Sequence, residues 1–274
     1  MNVQIDNFKL DYDDLGSGPA VLLIHGFPLD RRMWREQCTT LAQAGYRVIA
    51  PDLRGFGASQ SGDASFTLST HADDIIKLMN CLGIGRAVMI GASSGNAVIL
   101  ELLAKYPQRV AGTCLLAPPI VEQNSADCSR RLALEELARD GQRRAAIDGL
   151  CQEFLPHAGV TLVGRGLAGE IRQWIESCSS TALARTMSAC TRRLNWNEIA
   201  QRCPLPMLAL FGDRDTIAPP PATLGMPFVH HVIRGGGHLF NLECAHAVNR
   251  CLLAFLESLS VIKPALFRPV AVAV

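Results

Sequence analysis

The sequence predicts an α/β fold: a mostly parallel sheet with helices on both faces, interrupted once by a helical excursion. Three observations carry that prediction. Short apolar runs alternate with amphipathic stretches along most of the 274 residues, the pattern that sets parallel strands side by side through helical crossovers. The alternation stops for one long interval, 118–194, which reads as helix throughout. Hydrophobic residues make up 49% of the chain and charged ones 19%, so a substantial core is expected and disorder is not.

Strand-like runs fall at Phe8–Leu15, Ala20–Ile24, Tyr46–Pro51, Arg86–Gly91, Val110–Ala117, Pro206–Gly212 and Phe228–Arg234. The first two have no helix between them, so that end of the sheet is expected to be an antiparallel hairpin or meander. Amphipathic stretches lie at Asp30–Ala44, Ser69–Leu82, Ser94–Tyr106 and Leu239–Leu259. The third should stop at Pro107, because a proline restricts the residue before it to non-helical backbone. Within the excursion, Arg130–Gln142, Arg143–Leu155, Gly166–Ser177 and Thr181–Arg193 are candidate helices. This segment leaves from one strand's carboxyl end and returns before the next strand, so a lid over the strand ends is expected rather than packing on the back face. The predicted organisation is a core at 1–117 and 195–260, a lid at 118–194, and an apolar tail at 261–274. The tail packs across the surface or into a partner, which leaves a homo-oligomer open.

Composition removes several function classes. A net charge of +1 gives no electrostatic case for nucleic acid or an anionic membrane, and the arginines are spread along the chain. The ten cysteines include no C-x-x-C pair, and Cys81, Cys114, Cys151, Cys178, Cys190 and Cys251 sit among apolar or helical neighbours. Buried free thiols in a reducing compartment are expected. The segment Met1–Asp6 has neither a basic nor an apolar leader region, and no uncharged apolar run is long enough to span a bilayer. A cytoplasmic location is expected.

The chemistry centres on Gly91-Ala92-Ser93-Ser94-Gly95, between the apolar run Arg86–Ile90 and the helical stretch that follows. A serine between two glycines at a strand-to-helix junction can occupy the apex of a tight, strained turn. There the glycines remove side chains where strand and helix crowd together. A serine hydroxyl needs a base, and the base needs an acid that holds its tautomer. Of seven histidines, His238 follows Gly235-Gly236-Gly237 directly after a strand and can swing back over the sheet. His230 and His231 lie within a strand, His246 within a helix, His71 at a helix start and His157 in the lid. For the acid, Asp213 and Asp215 both follow the strand Met207–Leu210. Asp215 is better placed to reach the imidazole, while Asp213 is expected to cap the turn or pair with an arginine. The order Ser93, Asp215, His238 is the nucleophile–acid–base order of one hydrolase architecture and of neither major protease class.

His25-Gly26-Phe27-Pro28, the stretch Pro51–Ser59, Gly91–Gly95, Gly212–Asp215 and Gly237-His238 occur in this order at strand ends. With them the chain resembles the α/β-hydrolase superfamily over nearly its whole length. The nearest branches are small serine carboxylesterases, enol-lactonases and cofactor-free perhydrolases. The resemblance implies an α/β-hydrolase fold with the lid inserted after the sixth strand. It also implies that the Phe27 and Ser94 backbone amides form an oxyanion hole for the charge that develops on a carbonyl attacked by Ser93. Since backbone atoms do this, the Ser94 side chain is expected to be indifferent. His25 becomes a structural residue orienting its loop, and Pro51–Ser59 a turn held by Asp52. Asn96, where the family often has glycine, is expected to leave the turn unaffected.

A serine nucleophile excludes the dehalogenase and epoxide hydrolase branches, which the family equips with aspartate. Ester hydrolysis through an acyl-enzyme is the first expectation; lactone or carbon–carbon bond hydrolysis is the alternative. A non-catalytic ligand-binding member of the fold is a third, disfavoured by the full residue set. The partner expected is a small ester or lactone. No cofactor or metal is expected. Trp34, Phe56, Phe154, Trp174, Leu239 and Phe240 are candidate pocket walls, each equally assignable to core.

Overall fold

The computed structural model describes residues 1–62, 66–118, 125–154, 160–184, 203–221 and 229–262. Eight strands form one sheet: β1 (Asn2–Ile5), β2 (Phe8–Leu15), β3 (Ala20–Ile24), β4 (Arg47–Pro51), β5 (Ala87–Ala92), β6 (Val110–Leu116), β7 (Met207–Gly212) and β8 (Val229–Ile233). Their spatial order is β1-β2-β4-β3-β5-β6-β7-β8. The pairings β1–β2 and β2–β4 are antiparallel and the rest are parallel. This is the α/β-hydrolase fold.

The antiparallel end differs in detail from the sequence expectation. Phe8–Leu15 and Ala20–Ile24 do not pair, because β4 lies between them. The hairpin is β1–β2, and β1 was not recognisable in the opening residues, where only Ile5 is fully buried. Strands β5, β6 and β7 are buried at every residue, as helices on both faces require. At the far edge, four of the five residues of β8 are exposed.

Helices α1 (Arg35–Gln43), α2 (Leu68–Cys81) and α3 (Ser94–Lys105) connect the strands. A capping box formed by Thr67 and Thr70 opens α2. Helix α3 stops at Tyr106, before Pro107, as the proline dictates. After β6 the chain leaves the sheet through α4 (Ser125–Arg139), α5 (Arg143–Phe154) and α6 (Val160–Ser177). Of the expected helix Thr181–Arg193, residues 181–184 are helical and the remainder lies outside the described residues, as do His157 and the tail from Lys263. The single stretch expected at Leu239–Leu259 is two helices, α7 (Phe240–Glu243) and α8 (Ala245–Ile262), broken at Cys244.

The helical segment meets the core at the carboxyl ends of the strands. Cys178 Sγ donates to the Pro28 carbonyl at 3.1 Å, Arg32 reaches Ser177 Oγ at 3.1 Å, and Arg35 pairs with Glu170 at 2.6 Å. The Arg32 guanidinium also lies 5.4 Å from the Trp174 ring. The described cysteine thiols are all free; Cys81, expected to be buried, is exposed because it ends α2. Among the described residues, no helix is long and apolar enough to cross a membrane.

Candidate active site

Ser93 sits between β5 and α3 with φ +49° and ψ −118°. A side chain rarely adopts that left-handed backbone, which costs on the order of 1–3 kcal/mol unless the surroundings enforce it. Here they do. The Ser93 amide donates to the Leu116 carbonyl of β6 at 2.9 Å, and its carbonyl accepts from the Asn96 amide at 3.0 Å. The flanking glycines allow the crowding: a Cβ on Gly95 would run into the Ile24 and His25 carbonyl oxygens, and one on Gly91 would come 2.7 Å from Ile99 Cδ1. The same Gly91 Cβ would lie 2.8 Å from Asn96 Oδ1. Asn96 is fully buried, and its Nδ2 donates to the Leu116 carbonyl at 2.8 Å. The turn forms with Asn96 in place, and the Asn96 side chain adds to its support.

Three distant residues meet above this turn. His238 Nε2 lies 3.0 Å from Ser93 Oγ, and His238 Nδ1 lies 2.9 Å from Asp215 Oδ2. Burial alone would push the Asp215 carboxyl up. The hydrogen bond and charge of His238, with the Ala218 and Ile217 amides, outweigh burial and hold it below the usual carboxylate range. Both amides donate to Asp215 Oδ1 at 2.9 Å. An ionised carboxylate only accepts, so Nδ1 donates to it and Nε2 is left to accept the Ser93 hydroxyl proton. Asp213 points elsewhere: it is exposed and accepts from the Gly235 amide at 2.7 Å.

Residues around His238 fasten its loop. Glu243 Oε2 accepts from the Gly237 amide at 2.6 Å. The carboxyl group thus holds the backbone just before the imidazole. Burial pushes the Glu243 carboxyl up to about 7, against the opposing pull of the nearby Gly237 and Leu239 amides. Asn241 Nδ2 donates to the Met33 carbonyl at 2.8 Å, tying α7 to the turn that precedes α1. Sequence reading missed Glu243; the signal was a carboxylate five residues after the histidine, close enough to fold back on the loop.

His25 is buried and serves its loop. Its Nε2 accepts from the Leu53 amide at 2.9 Å, so Nδ1 carries the proton toward the Gly26 carbonyl at 3.2 Å. Burial lowers its pKa, which keeps the ring neutral. Asp52 accepts from the Arg31 amide at 2.9 Å and the Ala58 amide at 2.8 Å, and pairs with the Arg31 guanidinium.

Phe27 and Ser94 face each other, with one difference from the expected arrangement. The Phe27 amide donates to Ser94 Oγ at 2.7 Å. The Ser94 hydroxyl thus occupies the amide that was expected to serve a substrate oxygen. Of the candidate pocket walls, Phe154 lies 5.6 Å from the His238 ring. Phe56 packs edge-on against Phe27 and His25. Trp174 is buried beneath Arg32, and Trp34, Leu239 and Phe240 are buried among core residues.

A strained serine at a central strand end, facing an imidazole and a carboxylate from later strand ends, defines the class: an α/β protein of the hydrolase architecture. The chain belongs to the alpha/beta hydrolase fold family, whose model matches residues 19–244. It is 31% identical over 264 residues to a Synechocystis sp. protein provisionally named a non-heme chloroperoxidase, covering 90% of this chain and 94% of that one. An epoxide hydrolase of Caballeronia sordidicola is 32% identical over 180 residues, 63% of this chain and 55% of its own. Among solved structures, a thermophilic esterase from Thermogutta terrifontis with malate bound matches at TM-score 0.86 and 30% identity, covering 94% of this chain and 99% of that one.

Proposed function

We propose that this protein is a serine carboxylic-ester hydrolase acting on esters with small to medium acyl or alcohol groups. One observation carries the reading: His238 lies within hydrogen-bond distance of Ser93 on one side and Asp215 on the other. In the proposed reaction His238 Nε2 takes the Ser93 proton as Oγ attacks the acyl carbon. The Phe27 and Ser94 amides stabilise the oxyanion, and the alcohol departs with the proton from His238. Water then repeats the sequence on the acyl-enzyme, and Asp215 stabilises the imidazolium at each stage.

The similarity to an epoxide hydrolase does not carry that activity here, for a chemical reason. A serine alkoxide opening an epoxide leaves an ether, which offers water no carbonyl to attack. An ester leaves an acyl-enzyme that water can cleave. We assign residues 118–194 as the lid over the site, supported by the contacts of Phe154, Trp174 and Cys178. The free thiols favour a reducing compartment, the cytoplasm.

The test is two-part. A fluorophosphonate probe should label wild-type protein at Ser93 and fail on Ser93→Ala; no labelling of wild type sinks the reading. In a panel of p-nitrophenyl esters, lactones and an enol-lactone, acyclic esters should give the higher kcat/KM. The reverse order replaces the esterase assignment with a lactonase.

A further inference from the structure

We propose that the Ser94 hydroxyl is a built-in occupant of the oxyanion site, which a substrate oxygen must displace, and that it makes Ser94 a selectivity residue through its side chain. The inference rests on the hydrolase reading and extends it. Ser94 Oγ stands 2.7 Å from the Phe27 nitrogen, within the distance at which an oxyanion would accept from that donor. Ser94 is the first residue of α3 and is only half-buried, as is Phe27. Rotation about a single side-chain bond moves the hydroxyl out without disturbing the Ser93 backbone or the Gly26 approach to it.

Who wins the Phe27 amide depends on charge. A hydroxyl oxygen and an ester carbonyl are both neutral acceptors, so exchanging one for the other in the bound ground state gains little. An oxyanion makes a charge-assisted bond, roughly twice as strong as a neutral one. The hydroxyl therefore yields to the tetrahedral species more readily than to the substrate. Binding energy is withheld until charge develops, which is the condition under which it lowers the barrier. A solvent water in the same place would be a weaker competitor, because it must be immobilised whereas the Ser94 hydroxyl is already tethered.

The experiment compares wild type, Ser94→Ala and Ser94→Thr against two inhibitors. One is an uncharged amide isostere of the best ester. The other is a boronic acid, which becomes a tetrahedral anion on the nucleophile. Removing the hydroxyl should tighten binding of the amide and of the boronic acid alike, each about five-fold, the worth of the one neutral hydrogen bond that either must displace. Ser94→Thr, which keeps a hydroxyl, should stay nearer wild type for the amide. Unchanged or weaker amide binding by Ser94→Ala overturns the proposal. So does a ten-fold loss of boronic acid affinity, which would make the hydroxyl a donor to the oxyanion instead. Fluorophosphonate labelling of wild type separates the two levels. Labelling at Ser93 with an overturning inhibitor result removes this proposal alone; absence of labelling removes the hydrolase reading beneath it.

Discussion

The strand ends and the helical segment above them are built on different principles. At the strand ends, position comes from backbone: Ser93 is held by main-chain bonds to Leu116 and Asn96, and Asp215 by two amides. Neighbouring strands fix the register of the strand ends from which Ser93, Asp215 and His238 come. The helical segment is held by side chains instead. A thiol on a carbonyl, an arginine over a tryptophan and an exposed ion pair tie α6 to the turn before α1 and to α1 itself. Exposed pairs of that kind contribute about 0–1 kcal/mol. On the proposed reading, the reacting groups thus rest on backbone bonds and the proposed lid on side-chain contacts. Substitutions should separate chemistry from selectivity along that line.

The largest effect should come from the carboxylate that holds the imidazole. Asp215→Asn should lower kcat by about 10³–10⁴-fold, because an amide no longer imposes the right tautomer. Asp213→Asn, whose carboxylate accepts from the Gly235 amide, should cost less than ten-fold; equal losses in steady-state assays would remove the distinction. Next comes the other region. Arg32→Ala removes the contacts to Trp174 and Ser177 and should shift KM across an ester series by about 3–10-fold, the scale of 1 kcal/mol or so. Labelling of Ser93 by the fluorophosphonate should keep its wild-type rate. A fall in both together would mean the two regions are not separable.

The smallest effect concerns pH. The Glu243 carboxyl is pushed up from an ordinary 4.5 to about 7 by burial, so the folded protein holds that proton more tightly than the unfolded chain. Its contribution is fully present below about 4.5 and is lost as pH rises through about 7. Glu243→Gln keeps an acceptor for the Gly237 amide but cannot ionise. The Tm of wild type should decline relative to this variant between those limits, by a difference on the order of 3 °C. Parallel Tm curves would exclude the ionisation.

What was legible in the sequence is what is local to a strand end. Ser93 between glycines, Asp215 after an apolar run and His238 after three glycines each announce themselves within a few residues, and the structure brings the three within hydrogen-bond reach. Pairings between distant segments do not announce themselves: nothing in Phe8–Leu15 or Ala20–Ile24 says that β4 inserts between them. A four-residue strand with one fully buried side chain, β1, carries too little pattern to detect. The Ser94 hydroxyl on the Phe27 amide depends on a side-chain rotation and on a residue 67 positions away. Neither is written in residue order.

The three groups at the site do not share the same security. Ser93 leaves β5, which has β3 and β6 on either side, whereas His238 follows β8, an edge strand. A sheet that frays from its open margin loses the proton acceptor first and the alcohol last. On the proposed mechanism, fraying from that margin leaves a hydroxyl with nothing to ionise it: inert, rather than indiscriminately reactive.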